Sequence, residues 1–391
     1  MEKLCIETYY SSLNKKDEEL CGDRVQLVNN ADSALLVLSD GLGSGVKANI
    51  LSTLTSKIIS TMISRGAAIE DTVDTIAHTL PVCKERGLAY STFMILQISN
   101  NGIGYLVEYD NPPCILVRNG EKVSLDYVEK NIGGKPVRES HFDVYSGDYF
   151  FIVSDGVTQA GMGETLSFGW GLDALAEYIS NLCVKELSPP RIIQNVLSVC
   201  KDLYLGKPGD DTTVSIVHIM KHQNVSIFSG PPKDPNDDAR IVSDFVATDA
   251  IHIVCGGTSS EILARELERD LVVNIDCEKS DFPPTAYIKG MDLVTEGVMT
   301  IKNTLEIIDK YILDPVSQEI TDELDSSNGT SKLAKILIEQ CTDLNLFIGK
   351  AVNPAHQNQN FPPGLRVKWY LMESLAASML KLGRRVEKRY Y

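Results

Sequence analysis

A short, wholly apolar run that ends in a cluster of glycines restricts how residues 33–63 can fold. Residues 34–38 have the length and composition of a buried strand. The residues that follow are Ser39-Asp40-Gly41-Leu42-Gly43-Ser44-Gly45, which suit a tight turn. Beyond the turn, apolar residues recur every four positions, at 46, 50, 54, 58 and 62. This pattern predicts a helix with one broad apolar stripe that ends near residues 65–66.

The overall charge limits the classes of partner. Among 391 residues, 37 Lys and Arg stand against 53 Asp and Glu, which gives a formal net charge of −16. A chain of that charge is repelled by nucleic acid and by anionic lipid, so we expect neither nucleic acid nor a membrane as a partner. Carboxylate clusters that hold a metal ion would contribute to the same acidic excess.

No segment has the character of a membrane span or a secretory leader. The sequence contains no run of about 18–20 apolar residues, and residues 1–7 lack the apolar core of a signal peptide. The nine cysteines form no Cys-x-x-Cys pair, which argues against a structural zinc site and against a secreted disulfide framework. We therefore expect a cytoplasmic, soluble protein whose cysteines serve as small apolar residues.

The chain divides into two domains near a polar, proline-rich stretch at residues 230–238. Residues 1–220 alternate between strand and helix patterns, with strands in the majority, which favours an α+β architecture of layered sheets flanked by helices. Residues 221–239 are predicted to be a linker, partly docked because residues 225–228 have the pattern of a short apolar strand. Residues 240–391 are predicted to be a separate α/β domain with a ligand-binding or regulatory role.

Aspartate occurs at the ends of three predicted strands. Asp40 follows the first strand and Asp155 the second, each directly before a glycine, and Asp210 precedes the third. Asp23 stands shortly before the first of these strands. A single aspartate in such a place is most often a turn former or a helix cap. Three of them on strands that lie side by side favour a shared site.

Carboxylates that meet at strand ends repel one another unless cations lie between them. Hard divalent ions such as Mg²⁺ and Mn²⁺ prefer oxygen ligands and keep several waters. Two such ions a few ångström apart activate a water molecule and clamp a phosphoryl group. Glycine after Asp40 would let the backbone approach closely and offer its carbonyl to a metal. The aspartate pattern therefore predicts metal-assisted hydrolysis.

The order of the motifs resembles that of a known family. Along the chain come Gly-Asp at 22–23, Asp-Gly-x-Gly-x-Gly at 40–45, Ser-Asp-Gly-Val-Thr at 154–158 and Asp-Asp-x-Thr-Val at 210–214. This order resembles the metal-dependent 2C-type (PPM) serine/threonine protein phosphatases, and most narrowly their bacterial branch typified by the stage II sporulation protein E phosphatase domain. Residues 90–93 and the hairpin at 111–120 agree with it. The resemblance covers residues 5–220 and gives no family for the second half.

The resemblance implies a β-sandwich of two antiparallel sheets flanked by helices, with two Mn²⁺ or Mg²⁺ ions at one edge. Asp40 would bridge both ions, and the carbonyl of Gly41 would bind one of them. Asp155 and Asp210 would complete the centre, and Asp23 would hold a metal directly or through water. Asp40, Asp155 and Asp210 would be the catalytic residues, with metal-bridging water as the nucleophile on phosphoserine or phosphothreonine.

Two neighbouring residues of the third motif receive other roles. In the family pattern the first acidic residue of Asp-Asp is the ligand, so Asp211 is the weaker candidate beside Asp210. Thr213 is expected to support the turn.

The second half contains one candidate anion site. Gly256, Gly257, Thr258 and Ser259 lie between a predicted strand, at residues 251–255, and a predicted helix. Free backbone N–H groups and the helix dipole favour an anion at such a place. The segment matches neither a Walker A loop nor a dinucleotide fingerprint, and a tight turn with Ser/Thr capping is the competing interpretation.

The function that follows is a metal-dependent protein serine/threonine phosphatase in bacterial signalling. Its partner would be a phosphoprotein substrate, for which the resemblance suggests a phosphorylated anti-sigma-factor antagonist, and a homodimer is a candidate assembly. The alternative is a catalytically silent phosphatase fold that binds a phosphoprotein while the C-terminal domain senses a small anionic ligand. A third interpretation makes the second half the principal enzyme, although no complete catalytic motif occurs there.

Overall fold

A computed structural model of the chain describes residues 4–30, 33–79, 91–132, 135–273, 285–351 and 367–391. The chain forms two compact units, Met1–Met220 and Lys221–Tyr391. Within the described ranges, no helix is both long enough and apolar enough to cross a lipid bilayer.

The first unit is built mainly from strands. They are β1 (Cys5–Leu13), β2 (Asp23–Asn29), β3 (Ser33–Gly41), β4 (Ser91–Ser99), β5 (Ile103–Tyr109), β6 (Ile115–Arg118), β7 (Glu121–Val123), β8 (Val128–Ile132), β9 (Lys135–Asp143), β10 (Tyr149–Val153) and β11 (Thr212–Met220). One sheet has the order β1-β11-β10-β6-β7 and the other the order β2-β3-β4-β5-β9-β8. Neighbouring strands in both sheets run antiparallel.

Strand β3 explains why residues 34–38 are apolar without alternation. Leu36 and Leu38 pack in a core with Phe150 and other residues of the opposite sheet. Leu35 and Val37 point the other way and pack in a second core with helix residues. A strand covered on both faces needs apolar residues at successive positions. The buried strand predicted from the sequence is confirmed.

Five helices in the described part of the first unit lie outside the sheets. They are α1 (Gly45–Ile63), α2 (Ile69–Thr79), α3 (Asp155–Thr158), α4 (Leu172–Val184) and α5 (Pro189–Leu203). α1 confirms the helix predicted after the glycine turn, but the predicted stripe is wrong in part. Val46, Ile50 and Leu54 are 62%, 51% and 46% exposed. The close approach of Ala48 to Gly41 turns the neighbouring face of α1, with Leu51, toward the sheet.

The second unit holds one sheet with helices between its strands. Its strands are β12 (Asn224–Ser229), β13 (Ile251–Cys255), β14 (Leu271–Val273), β15 (Thr285–Ile288), β16 (Leu293–Thr295), β17 (Asp343–Ile348) and β18 (Arg385–Tyr390). Its α-helices are α6 (Asp238–Val246), α7 (Gly257–Glu266), α8 (Val298–Leu313), α9 (Gln318–Leu324), α10 (Gly329–Lys335) and α11 (Val367–Lys381). The sheet order is β14-β15-β16-β13-β12-β17-β18, and the five strands from β16 to β18 run parallel.

The segment expected to be a linker, residues 221–239, belongs to this second unit. Its strand β12 pairs with β13 on one side and β17 on the other, and Val225, Ile227 and Phe228 are buried. The apolar run is thus a central strand rather than a docked connection, because it pairs with a strand on each side. The expected architecture, a helix-flanked β-sandwich followed by a separate α/β unit, is confirmed.

An ion pair between Arg118, at the end of β6, and Asp148, directly before β10, joins two neighbouring strands of the first sheet. Asp148 is fully buried before β10, and its two oxygens accept hydrogen bonds from Nε and Nη2 of Arg118, both at 2.7 Å. The N–H of Tyr145 donates to the same carboxylate at 2.9 Å. Removing one charge from a buried pair leaves the other uncompensated, which is costly.

We therefore expect Asp148→Asn to lower the free energy of unfolding by about 3 kcal/mol. The matched control is Asp173→Asn, because Asp173 forms an ion pair with Lys122 at 2.9 Å but its side chain is 97% exposed. That change should cost less than about 1 kcal/mol. Urea unfolding of both variants measures the difference. Equal losses would contradict the importance assigned to the buried pair.

Candidate functional site

Four chain segments bring aspartates to one end of the β-sandwich. Asp23 begins β2 and lies directly opposite Asp40, near the end of β3, in the antiparallel pair. Asp155 begins α3 immediately after β10, and Asp210 lies just before β11. Since β10 and β11 are antiparallel neighbours, the end of one and the start of the other share an edge of the sheet.

The charges that act on Asp40 come from aspartates at both edges. Burial is the main cause that raises the pKa of the Asp40 carboxyl to about 9, and the charges of Asp23, Asp155, Asp210 and Asp211 contribute to that rise in this order of effect. Burial is also the main cause that raises the pKa of Asp155, with Asp210 the next. Asp23, Asp40, Asp155 and Asp210 therefore lie close enough for their charges to act within one cluster, and their roles as metal ligands stay a prediction.

Asp23 is the most deeply buried of the four. It is 5% exposed, and neither of its carboxylate oxygens accepts a hydrogen bond from any described residue. Burial raises the pKa of Asp23 to about 7. The nearby hydroxyls of Thr213 and Ser154 act in the opposite direction, but neither is in hydrogen-bond geometry with the carboxylate. A buried acceptor without a donor is destabilising. Such a group fits a cation as its partner.

The donor set suits a hard divalent ion that retains water. Within the described ranges, no three Asp, Glu, His or Cys side chains are arranged to hold one ion by themselves. Mg²⁺ is commonly bound through one or two carboxylates with several waters in its shell. Oxygen donors that repel one another, with two orphaned oxygens among them, match this kind of coordination.

The two aspartates of the third motif have different surroundings. Asp211 is buried, and its oxygens accept the backbone N–H groups of Lys15 and Gly22 at 3.0 and 2.9 Å. The side chain of Asp210 is 41% exposed, and Nζ of Lys15 lies 3.4 Å from its Oδ1. Asp211 therefore anchors the turn that carries Asp23, while Asp210 stays partly open to solvent at the site.

Sequence reasoning missed the part played by Lys15 and by Asp211. Both depend on the pairing of β1 with β11, in which Leu13 lies opposite Thr212. Residues just beyond that pair are then neighbours although they are separated by almost the whole unit in sequence. The sequence does show an acidic residue directly before a strand. It does not show which strand pairs with that one, and therefore which residues the acidic side chain contacts.

The glycines that follow Asp40 and Asp155 are required by packing. A Cβ at Gly41 would lie 2.0 Å from the carbonyl oxygen of Ala48, and one at Gly156 would lie 2.1 Å from that of Asp211. Real Cβ atoms do not approach oxygen so closely, so each Asp-Gly pair lets a second backbone segment lie against the turn. Thr213 supports the same region, with its hydroxyl 2.8 Å from that of Ser12.

The candidate anion residues of the second unit lie where β13 ends and α7 begins. Gly257 and Thr258 are exposed, and Gly256 has φ +118°. The Ser259 side chain is fully buried, and its Oγ accepts the N–H of Gly230 at 2.7 Å. Its hydroxyl therefore joins two turns rather than facing solvent.

Residues 30–220 match the family model of stage II sporulation protein E (SpoIIE). This part of the chain is a SpoIIE-family domain of the PP2C phosphatase type. A search of curated proteins finds no match. The matched residues contain Asp40, Asp155 and Asp210 and begin just after the strand that carries Asp23.

Several solved structures are similar to the first part of the chain. The PP2C domain with a regulatory-domain fragment of SpoIIE from Bacillus subtilis has 18% identity and a TM-score of 0.48, over 56% of this chain and 64% of that one. This chain thus spans slightly less than two thirds of that protein's length. The PP2C domain of SiaA from Pseudomonas aeruginosa has 17% identity and a TM-score of 0.45, over 54% and 86%. The S. agalactiae serine/threonine phosphatase has 16% identity and a TM-score of 0.40, over 55% and 99%.

The contrast between Asp210 and Asp211 is testable by stability. We expect Asp211→Asn to lower the free energy of unfolding by about 2 kcal/mol, because the amide has one acceptor oxygen where two N–H donors converge. Asp210→Asn should change it by less than about 1 kcal/mol, since Asp210 is partly exposed. Chemical unfolding in EDTA removes any contribution from bound metal. A larger loss for Asp210→Asn would contradict these roles.

Proposed function

We propose that the chain is a protein serine/threonine phosphatase that depends on Mn²⁺ or Mg²⁺ and acts in bacterial signalling. The observation that carries this proposal is the pairing of buried Asp23, whose oxygens have no donor among the described residues, with Asp40. The charges of Asp155 and Asp210 act on the carboxyl group of Asp40. SpoIIE-family membership of residues 30–220 supports the reaction class.

The residues divide into ligands and supports. Asp40 would lie between two ions, with Asp155, Asp210, Asp23 and the carbonyl of Gly41 as further ligands. When bound, the ions supply an activated water and positive charge for the phosphoryl group. The side-chain amide of Gln159 donates to Asp155 at 2.9 Å and so orients that carboxylate. Lys15 holds Asp210 in the same way.

The substrate we propose is phosphoserine or phosphothreonine in a protein, with a phosphorylated anti-sigma-factor antagonist as the first candidate. The family resemblance supports this class. A homodimer is the proposed assembly. The acidic net charge of −16 agrees with a protein partner rather than a nucleic acid.

We expect full-length protein to hydrolyse p-nitrophenyl phosphate and a phosphothreonine peptide with Mn²⁺, and to lose turnover in EDTA. Asp40→Asn and Asp155→Asn should each lower kcat/KM by at least about 100-fold, because each removes a ligand from the charge-stabilising centre. Asp173→Asn is the matched control, since this carboxylate is 97% exposed and belongs to none of the motifs.

Calorimetric titration with Mn²⁺ separates the two functional interpretations. Mn²⁺ binding that is weakened in Asp40→Asn, together with turnover, supports the phosphatase. Folded protein that binds Mn²⁺ but turns over neither substrate points to the silent phosphoprotein-binding module. Turnover that persists in EDTA, or in Asp40→Asn, would overturn the two-metal proposal.

A further inference from the structure

The second unit has the strand order that places ligand sites at the carboxyl ends of parallel strands. From β12 the chain proceeds to β13 and β16 on one side, and then returns to β17 on the other side. The direction of progress thus reverses between β12 and β17. Open α/β sheets bind ligands in the crevice outside the carboxyl ends at such a point.

Glycine follows four of the five parallel strands at this edge. Gly230, Gly256, Gly297 and Gly349 come directly after, or within two residues of, the ends of β12, β13, β16 and β17. A Cβ at Gly349 would lie 2.1 Å from the carbonyl oxygen of Pro231, and one at Gly297 would lie 3.2 Å from the Cα of Gly256. The turns therefore contact one another through backbone.

Ser259 holds two of these turns at a fixed distance. Its Oγ accepts the Gly230 N–H at 2.7 Å, and it lies 3.5 Å from the carbonyl oxygen of Cys255. The two turns are thus joined by a fully buried side chain.

Lys368, near the start of α11, places its ammonium group against both turns. Its Nζ would be 2.9 Å from a Cβ at Gly230 and 3.8 Å from one at Gly256. Lys368 is half-buried, and none of the residues that the structure describes accepts a hydrogen bond from its Nζ or forms an ion pair with it. The burial of this ammonium group is therefore not compensated by a hydrogen bond or an ion pair from the described residues.

The charge of Glu296 acts on Lys368, but neither Glu296 nor Cys255 forms a hydrogen bond or an ion pair with it. Burial raises the pKa of the Cys255 thiol to about 11, so it is neutral at pH 7. Oε2 of Glu296 accepts the N–H groups of Met299 and Thr300 at 3.0 and 3.4 Å, so this carboxylate caps α8. Burial lowers the pKa of Lys368 to about 8, opposed by Cys255 and Glu296, which leaves the group mostly protonated at pH 7.

The first turn of α7 adds unused donors on the same side. No side chain caps this ten-residue helix, and it has no acidic residue in its first turn. Gly257 and Thr258, its first residues, are exposed. Backbone N–H groups at a helix start, next to a cation without an anionic partner, form the chemistry of a phosphate site.

We propose that this crevice binds the phosphate group of a small-molecule ligand, with Lys368 as its cationic contact and the N–H groups of Gly257 and Thr258 as donors. The ligand class is a phosphate monoester or diphosphate, such as a nucleoside diphosphate. This site is separate in the chain from the aspartate centre and does not depend on the proposed phosphatase activity.

Calorimetric titration of the full-length Asp40→Asn protein in EDTA tests the proposal without turnover by the first unit. The probes are inorganic phosphate, pyrophosphate and ADP. We expect at least one to bind and Lys368→Met to weaken that affinity at least about tenfold. Lys381→Met, a change of the exposed lysine at the other end of α11, should leave the affinity unchanged. ADP binding without pyrophosphate binding would indicate that a nucleoside is also required.

A backbone variant provides an independent test. No atom lies within 4 Å of a Cβ at Gly257, and proline is tolerated at the first position of a helix. Gly257→Pro should weaken binding because it removes one N–H donor, whereas Gly257→Ala retains the donor and the affinity. Binding of none of the probes, or unchanged affinity in both Lys368→Met and Gly257→Pro, would overturn the proposal.

Discussion

Repulsion among buried carboxylates is the constraint on which the first unit depends. Burial and the charges of four other aspartates raise the pKa of Asp40 to about 9, and Asp23 has no hydrogen-bond donor among the described residues. The fold holds these groups together by close backbone contacts at Gly41 and Gly156, and by the two N–H groups that Asp211 accepts. Without cations, the repulsion among these carboxylates lowers the stability of the folded sandwich. The proposed metal ions would therefore stabilise the fold as well as take part in the chemistry.

The second unit has a partly buried charge of the opposite sign at the edge of its own sheet. There a half-buried ammonium, Lys368, lies against glycine turns and has no described acceptor. In both units the uncompensated charge is held where strands end, because strand ends are the places at which backbone groups leave the sheet ladder and turns can be shaped around a ligand. The signs of the charges differ, and so do the proposed ligands: divalent cations in one unit and a phosphate group in the other.

The local sequence was sufficient for the elements and for most of the aspartate site. The apolar run of β3, the glycine turn and α1 follow from short-range patterns, and Asp23, Asp40, Asp155 and Asp210 follow from motif order. The exposed side of α1 did not follow from the sequence, because Val46, Ile50 and Leu54 satisfy the helical period as well as Leu51 does. The expected linker also differed, since the apolar strand predicted at residues 225–228 pairs with strands whose positions lie far along the chain.

The sequence by itself determined which residues have the chemistry and where turns interrupt the apolar runs, because glycine, aspartate and hydrophobic periodicity act over a few residues. The tertiary structure decided which chemical groups meet. The separation of roles between Asp210 and Asp211 comes from the pairing of β1 with β11, and the place of Lys368 comes from the return of the chain to α11. Both are contacts between residues distant in sequence, and short-range patterns do not encode the partner in such a contact.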